Sequence, residues 1–294
     1  MRFDFDIDFL GWRKFAFILS GIIIMVGIVS LIVKGGPKYG IDFAGGTLVQ
    51  IKFARPVTVT TLEQMRNALA KVGLGKNVQR LGEEKDEVVI RTISVDPSGL
   101  AGGIKGALGD KFGRYNILRI EMVGPSIGKD LRGIALYCIF LSLAALLLYI
   151  TWRFEFKFAV GAVIALIHDT LVVIGIFSLL DKEFNIPIVA ALLTIIGYSL
   201  NDTIVVFDRI RENLKLLRKE VYSTILNLSI NQTLSRTIIT ALTTLFTVIA
   251  LFIWGGEVIH DFAFAFVIGI IVGTYSSIYV ASPIVLEWHL RQHK

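Results

Sequence analysis

One cysteine, four histidines and six prolines in 294 residues leave several classes of protein without their raw material. A lone Cys138 has no partner within the chain, so a disulfide scaffold is excluded. The 27 glycines follow no three-residue period, which excludes a collagen-like helix. Charged residues make up only 18% of the chain, against about 25% in ordinary soluble domains. Hydrophobic residues reach 54%, far too many for a disordered chain. With a mean hydropathy of +0.69, this is not the composition of an ordinary soluble enzyme.

The apolar residues are blocked. A bilayer core of about 30 Å takes roughly 20 apolar residues as helix. Residues 15–33, 133–152, 237–256 and 262–286 each run without a charge. Two further runs are interrupted, 158–180 by His168 and Asp169 and 184–207 by Asp202. These are six expected spans. The first is too long for the 7–15-residue core of a signal peptide and no small-x-small site follows it, so it reads as a retained helix. Cys138 falls inside the second and reads as a small packing residue.

Lys and Arg near the spans set the orientation. Twelve lie on one side (Arg2, Arg13 and Lys14; Arg153 and Lys157; Arg209, Arg211, Lys215, Arg218 and Lys219; Arg291 and Lys294) and only Lys182 lies in the short loops of the other. Both termini are therefore expected in the cytoplasm of a multi-pass protein of the cytoplasmic membrane. The segments are 1–34, an N-terminus and first span; 35–129, an external domain; and 130–294, five spans with a cytoplasmic loop at about 208–232. Within 208–232, Ile210, Leu214, Leu217 and Val221 share a helical face opposite the basic residues. That fits either an amphipathic helix on the membrane surface or a helical hairpin continuing the bundle.

The external segment has 14 basic against 9 acidic residues. The excess serves solubility, or attraction to lipid headgroups or a partner. A pI near 9.4 does not point to nucleic acid, because the basic domain faces away from the cytoplasm. Val49, Ile51 and Phe53 alternate as a half-buried strand. Thr60-Thr-Leu-Glu63 has the capping-box pattern, and Leu62, Met65, Leu69 and Val72 follow at helical spacing up to Gly73 and Gly75. Strands are expected at 78–81, at 87–93 and at 117–123, the last with Leu118, Ile120 and Met122 facing inward. Ser98 is placed to cap a glycine-rich helix through Leu100, Ile104 and Leu108. The order β-α-β-β-α-β predicts a ferredoxin-like α+β sandwich. The domain has no histidine and no cluster of metal-binding side chains, and no cofactor is expected.

Glycine motifs bracket this domain. Gly40-Ile-Asp-Phe-Ala-Gly-Gly-Thr47 precedes a strand, whereas a pyrophosphate-binding glycine loop follows one. It reads as a tight lead-in turn, and Gly124-Pro-Ser-Ile-Gly128 does the same where the chain returns to the membrane. Gly40, Asp42, Gly45, Gly46, Gly124, Pro125 and Gly128 are the candidate hinges.

Ionisable groups inside spans cost about 2.5–3.5 kcal/mol at a helix centre on insertion scales and are functional candidates by default. Asp169 falls near mid-membrane with His168 beside it. Asp202 and Arg236 fall at similar depth, close enough for an ion pair. Asn201, Thr203, Asn231 and Gln232 are placed to bridge or simply to join helices.

Four blocks in order, Gly40 to Thr47, Val123 to Gly128, Asn201-Asp-Thr-Ile-Val-Val-Phe-Asp-Arg-Ile-Arg-Glu-Asn213 and Ser229-Ile-Asn-Gln-Thr-Leu-Ser-Arg-Thr237, together resemble the SecF family of protein-translocase subunits. The resemblance runs from the first span to the fifth. It implies membership of the resistance-nodulation-division superfamily, a SecD-like partner chain, a SecYEG-type channel and unfolded preprotein as further partners, and protons as the coupling ion for late steps of export. It also implies proton transfer for Asp202 and Arg236. Two other functions stay open on the residues alone. An intramembrane aspartyl protease would pair Asp169 with Asp202, though neither sits in the Tyr-Asp or Gly-x-Gly-Asp motif such enzymes carry, and a Ser199–His168 hydrolase lacks a motif around either residue. An exporter of small molecules or lipids from the same superfamily usually carries two such halves in one chain.

Overall fold

The computed structural model describes residues 6–74, 78–81, 86–92 and 97–292. The chain divides into two compact units. One comprises Tyr39–Ala135 with Phe184–Ile186, the other Met1–Lys38, Leu136–Glu183 and Pro187–Lys294.

The first unit opens with a helical turn, α2 (Ile41–Ala44), the label α1 being kept for the preceding span, Arg13–Val33. There follow β1 (Gly46–Phe53), α3 (Val59–Ala70), β2 (Val78–Leu81), β3 (Glu87–Thr92), α4 (Pro97–Leu108) and β4 (Tyr115–Val123). The strands pair antiparallel in the order β2-β3-β1-β4, the arrangement expected of the βαββαβ sandwich. Val49, Ile51 and Phe53 pack with Met65, Leu69, Ile90, Ile104 and Leu108 in one core.

Three expectations for this unit change. The cap of α3 is Thr58, whose hydroxyl accepts from the Thr61 amide at 3.2 Å; Thr60 and Glu63 already lie inside the helix. Helix α4 starts at Pro97, so Ser98 is within its first turn and cannot be the cap; proline suits that first position because its missing N–H would be unpaired anyway. On β4, Leu118, Ile120 and Met122 are 49%, 38% and 50% exposed. The register shifts between Gln50 and Ile51, where Ile51 pairs Ile117 and Gln50 pairs Arg119. Leu118 is thus the extra residue of a bulge, which shifts the alternation: Tyr115 and Ile117 pack on the core, while Ile120 and Met122, opposite Val49 and Thr47, share the core face but stay exposed there. The expected Ile93 and Gly75 lie outside the described residues.

The second unit is helical: α1 (Arg13–Val33), α5 (Pro125–Arg153, entering from the first unit), α6 (Phe156–Leu179), α7 (Ile186–Leu216), α8 (Tyr222–Trp254), α9 (Gly256–Ser276) and α10 (Ser282–Gln292). A π turn, Ser277–Ala281, joins the last two into one span, so among the described residues six helices are long and apolar enough to cross a bilayer. Residues 208–232 form the hairpin alternative: α7 continues to Leu216 and α8 begins at Tyr222. Helices α6 and α7 are the most buried, while α1, α5 and α8 expose apolar faces. Phe154, Phe158 and Phe207 pack edge to face at the core, the closest pair of rings 4.9 Å apart.

Candidate functional site

Within the helical unit the polar residues converge on Asp169. It is the fourteenth residue of α6 and only 1% exposed. A carboxylate in that position survives only if its oxygens are bonded. Ser199 of α7 and Ser276 of α9 both donate to Oδ2, at 2.6 and 2.8 Å. His168 Nδ1 meets Oδ1 at 2.9 Å. The far side of the imidazole, Nε2, lies 3.0 Å from Ser20 Oγ on α1. Ser20 also contacts the Tyr275 hydroxyl at 3.0 Å, and Tyr275 donates to the Ala16 carbonyl at 2.9 Å.

Ser276 ends α9 and Ser277 opens the π turn, and the two neighbouring serines reach different helices. Ser282 Oγ bonds the Ser277 carbonyl five residues back, and the widened turn leaves Ser276 and Ser277 both fully buried. Ser276 bonds Asp169 of α6, and Ser277 bonds Thr203 of α7 at 2.9 Å. Such single π turns are frequent at functional sites.

Asp202 is 2% exposed, and its Oδ2 is buried without a hydrogen-bond partner among the described residues. The expected ion pair with Arg236 is not closed: Arg236 is exposed, and among the described residues no ion pair within 4.0 Å involves it. The two therefore stand apart in this conformation. Of the supporting residues, Thr203 joins the buried seam and also bonds the Ser199 carbonyl. Asn201 is exposed on the other face of α7. Asn231 bonds the Ile7 backbone at both N and O, helping Asn227 hold the N-terminal segment. Gln232 accepts from Arg209 at 2.6 Å and Asn213 at 2.8 Å. Neither Asn231 nor Gln232 bridges Asp202 to Arg236.

The sequence does not mark Ser199 and Ser276 as ligands of Asp169, nor Ser20 and Tyr275 as the residues behind His168. Serine in an apolar run carries no local mark of its partner. Neither hydrolytic arrangement is formed among the described residues. Asp169 spends its oxygens on His168, Ser199 and Ser276 and does not share a proton with Asp202. Ser199 bonds Asp169 rather than His168. Ser20–His168–Asp169 has the order of a nucleophile triad, but Ser20 is 5% exposed and tied to Tyr275, whereas a nucleophile must reach its substrate.

The glycine residues form a tight junction in the sandwich unit. Gly45 (φ 77°) and Gly46 (φ 130°) hold the left-handed conformations that glycine permits. A Cβ on Gly45 would lie 2.8 Å from Pro125 Cα, and one on Gly128 would lie 2.9 Å from the Phe43 carbonyl oxygen. Asp42 Oδ2 accepts from the Ile186 amide at 2.9 Å, and Gly40 N bonds the Phe184 carbonyl at 2.8 Å. The loop 184–186 is a contributor to this junction that the sequence did not suggest. Gly124 is uncrowded.

A bundle of apolar helices with buried carboxylates, carrying an α+β sandwich inserted between its first two spans, defines a polytopic membrane protein. Residues 104–291 match the family description "Protein export membrane protein SecD/SecF, C-terminal", and residues 29–57 match "SecD/SecF GG Motif". The chain is 45% identical to a protein translocase subunit SecF of Desulfurispirillum indicum, over 99% of this chain and 94% of that one. It is 48% identical to the SecF of Vibrio alginolyticus, over 98% and 91%. The crystal structure of SecDF from Thermus thermophilus, titled a translocon-associated membrane protein, superposes with a TM-score of 0.88 at 39% identity, covering 98% of this chain. This chain spans 39% of that longer one. The chain belongs to the SecD/SecF family of protein-export membrane proteins.

Proposed function

We propose that the chain is the SecF-type subunit of a Sec translocase, working with a SecD-like membrane partner beside a SecYEG-type channel. It uses the proton gradient across the cytoplasmic membrane to promote late steps of export of unfolded preprotein. Protons are the coupling ion, both termini face the cytoplasm, and the basic sandwich lies outside, near membrane lipids. The observation that carries this reading is Asp202, a buried carboxylate with an unpartnered oxygen in a bundle whose other central carboxylate is fully bonded.

Arg236 stays charged, so Asp202 is the member that changes protonation. Bringing the guanidinium to the carboxylate favours the charged form; separating them in a buried site favours the protonated form. A motion that alternately closes and opens the pair would load and release one proton per cycle, with Asp169 extending the path. Each charge crossing about 100 mV supplies about 2.3 kcal/mol. Motion of the chain is supported by a second SecDF structure, in a form titled super-membrane-facing, which superposes at a TM-score of only 0.73 with the same 39% identity. The close-packed glycine junction would travel as a block, and bending would fall at Gly35 and Gly36, where an added Cβ meets nothing within 4 Å.

Asp202→Asn keeps the shape and cannot carry the proton. In inverted vesicles it should abolish the gradient-dependent part of export while the complex with the partner still assembles. Export that keeps its full dependence on the gradient would make Asp202 a packing residue and overturn the mechanism.

A further inference from the structure

The direction of each hydrogen bond around His168 can be counted. Tyr275 donates its only hydrogen to the Ala16 carbonyl at 2.9 Å, which can only accept. The 3.0 Å bond between Tyr275 and Ser20 must then use the Ser20 hydrogen. Ser20 has none left for His168 at 3.0 Å, so Nε2 carries a hydrogen and donates it. The 2.9 Å contact between Nδ1 and Asp169 Oδ1 needs another hydrogen. Ser199 and Ser276 cannot supply it, because both donate to Oδ2. The His168–Asp169 pair therefore holds two hydrogens, one more than a neutral imidazole beside a carboxylate.

We infer that Asp169, His168, Ser20 and Tyr275 form a proton relay, held loaded in this conformation and leading from the middle of α6 toward the start of α1; this rests on the proton-coupled function proposed above. On release Tyr275 passes its hydrogen to water. Tyr275 takes the Ser20 hydrogen, and Ser20 takes that of Nε2. The remaining hydrogen stays on Nδ1 and bonds the Asp169 carboxylate. One proton leaves and one negative charge remains on Asp169. Tyr275 now donates to Ser20 and Ser20 to Nε2, so every hop stays bonded and only the Ala16 carbonyl loses a partner. A chain satisfied in both directions is what a relay requires, and its two hops between protein groups, from Nε2 to Ser20 and from Ser20 to Tyr275, each span 3.0 Å. Ser20 and Tyr275 are the positioning residues, since each acts on the proton of the His168–Asp169 pair.

Two measurements test it. Solid-state 15N NMR of the full chain in bilayers, with the His168 signals assigned by difference from His168→Gln, should find Nε2 protonated. Vesicles containing the chain with its SecD-type partner and an internal pH dye should then report proton flux. Ser20→Ala and Tyr275→Phe each remove one oxygen and should slow that flux about tenfold or more, with Ser20→Thr retaining it. A bare Nε2, or flux within about twofold of wild type in both hydroxyl variants, overturns the relay. Asp202→Asn separates the two ideas. Flux lost there but kept in the hydroxyl variants removes the relay alone, and flux kept in Asp202→Asn removes the proposed function itself.

Discussion

Asp181 is the non-glycine residue with positive φ, 56°, among those described. It follows the last turn of α6 in a Schellman arrangement: its amide bonds the Ser178 carbonyl at 3.2 Å and the Lys182 amide bonds that of Phe177 at 3.0 Å. Aspartate tolerates this conformation better than most residues. The turn presents its carboxylate to Lys38 at 3.3 Å and Lys34 at 3.4 Å. The hydrogen bond and charge of Lys38, then those of Lys34, hold its carboxyl below the usual carboxylate range. A lowered value means the contribution is complete above the ordinary carboxylate pKa and is lost as pH falls below about 4. The group is exposed, so the effect on stability is small. A 13C NMR titration should place Asp181 below an ordinary aspartate, and Lys38→Ala should move it back up. An unchanged midpoint in Lys38→Ala would assign the shift elsewhere. Among single residues, the ionisable ones in spans announced themselves, because charge in an apolar run is conspicuous. The hydroxyls that satisfy Asp169 did not, since serine is common in such runs.

At the scale of elements, α1 and α6 touch backbone to backbone. A Cβ on Gly27 would lie 2.8 Å from Gly175 Cα, and one on Gly175 would lie 2.9 Å from Gly27 Cα. Small residues at such crossings let membrane helices approach closely. Ser30 and Ser178 meet at 2.8 Å on one side, and Ser20 and His168 at 3.0 Å on the other. Gly175→Leu should therefore push α1 away, at an overpacking cost of about 1–3 kcal/mol. Cysteines at positions 30 and 178, in a chain with Cys138→Ala, should cross-link readily, and adding Gly175→Leu should suppress the cross-link. An undiminished yield would mean the close crossing is dispensable. Spans and most strands were legible because periodicity is local. The α3 cap and the inward face of β4 were not. Threonines at 58, 60 and 61 offer competing caps, and the bulge at Leu118 depends on how β1 pairs, which alternation along β4 cannot reveal.

For the whole molecule, the charge asymmetry yields a topology that can be checked directly. A reporter fused after Lys294 should be cytoplasmic and one inserted near Gly82 external; both on one side would remove the six-span arrangement. Membrane class, number of spans, the α+β order of the inserted domain and the family were all readable along the chain. Hydropathy, periodicity and ordered motif blocks are properties of neighbouring residues, and folding does not have to bring anything together for them to be seen. The state of the Asp202–Arg236 pair and the ligands of Asp169 are of another kind. The first depends on how α7 and α8 stand, and similar depth along two helices does not place two side chains in contact. The second joins residues as far apart as Asp169 and Ser276, 107 positions along the sequence. Only packed helices put those hydrogen bonds in one place.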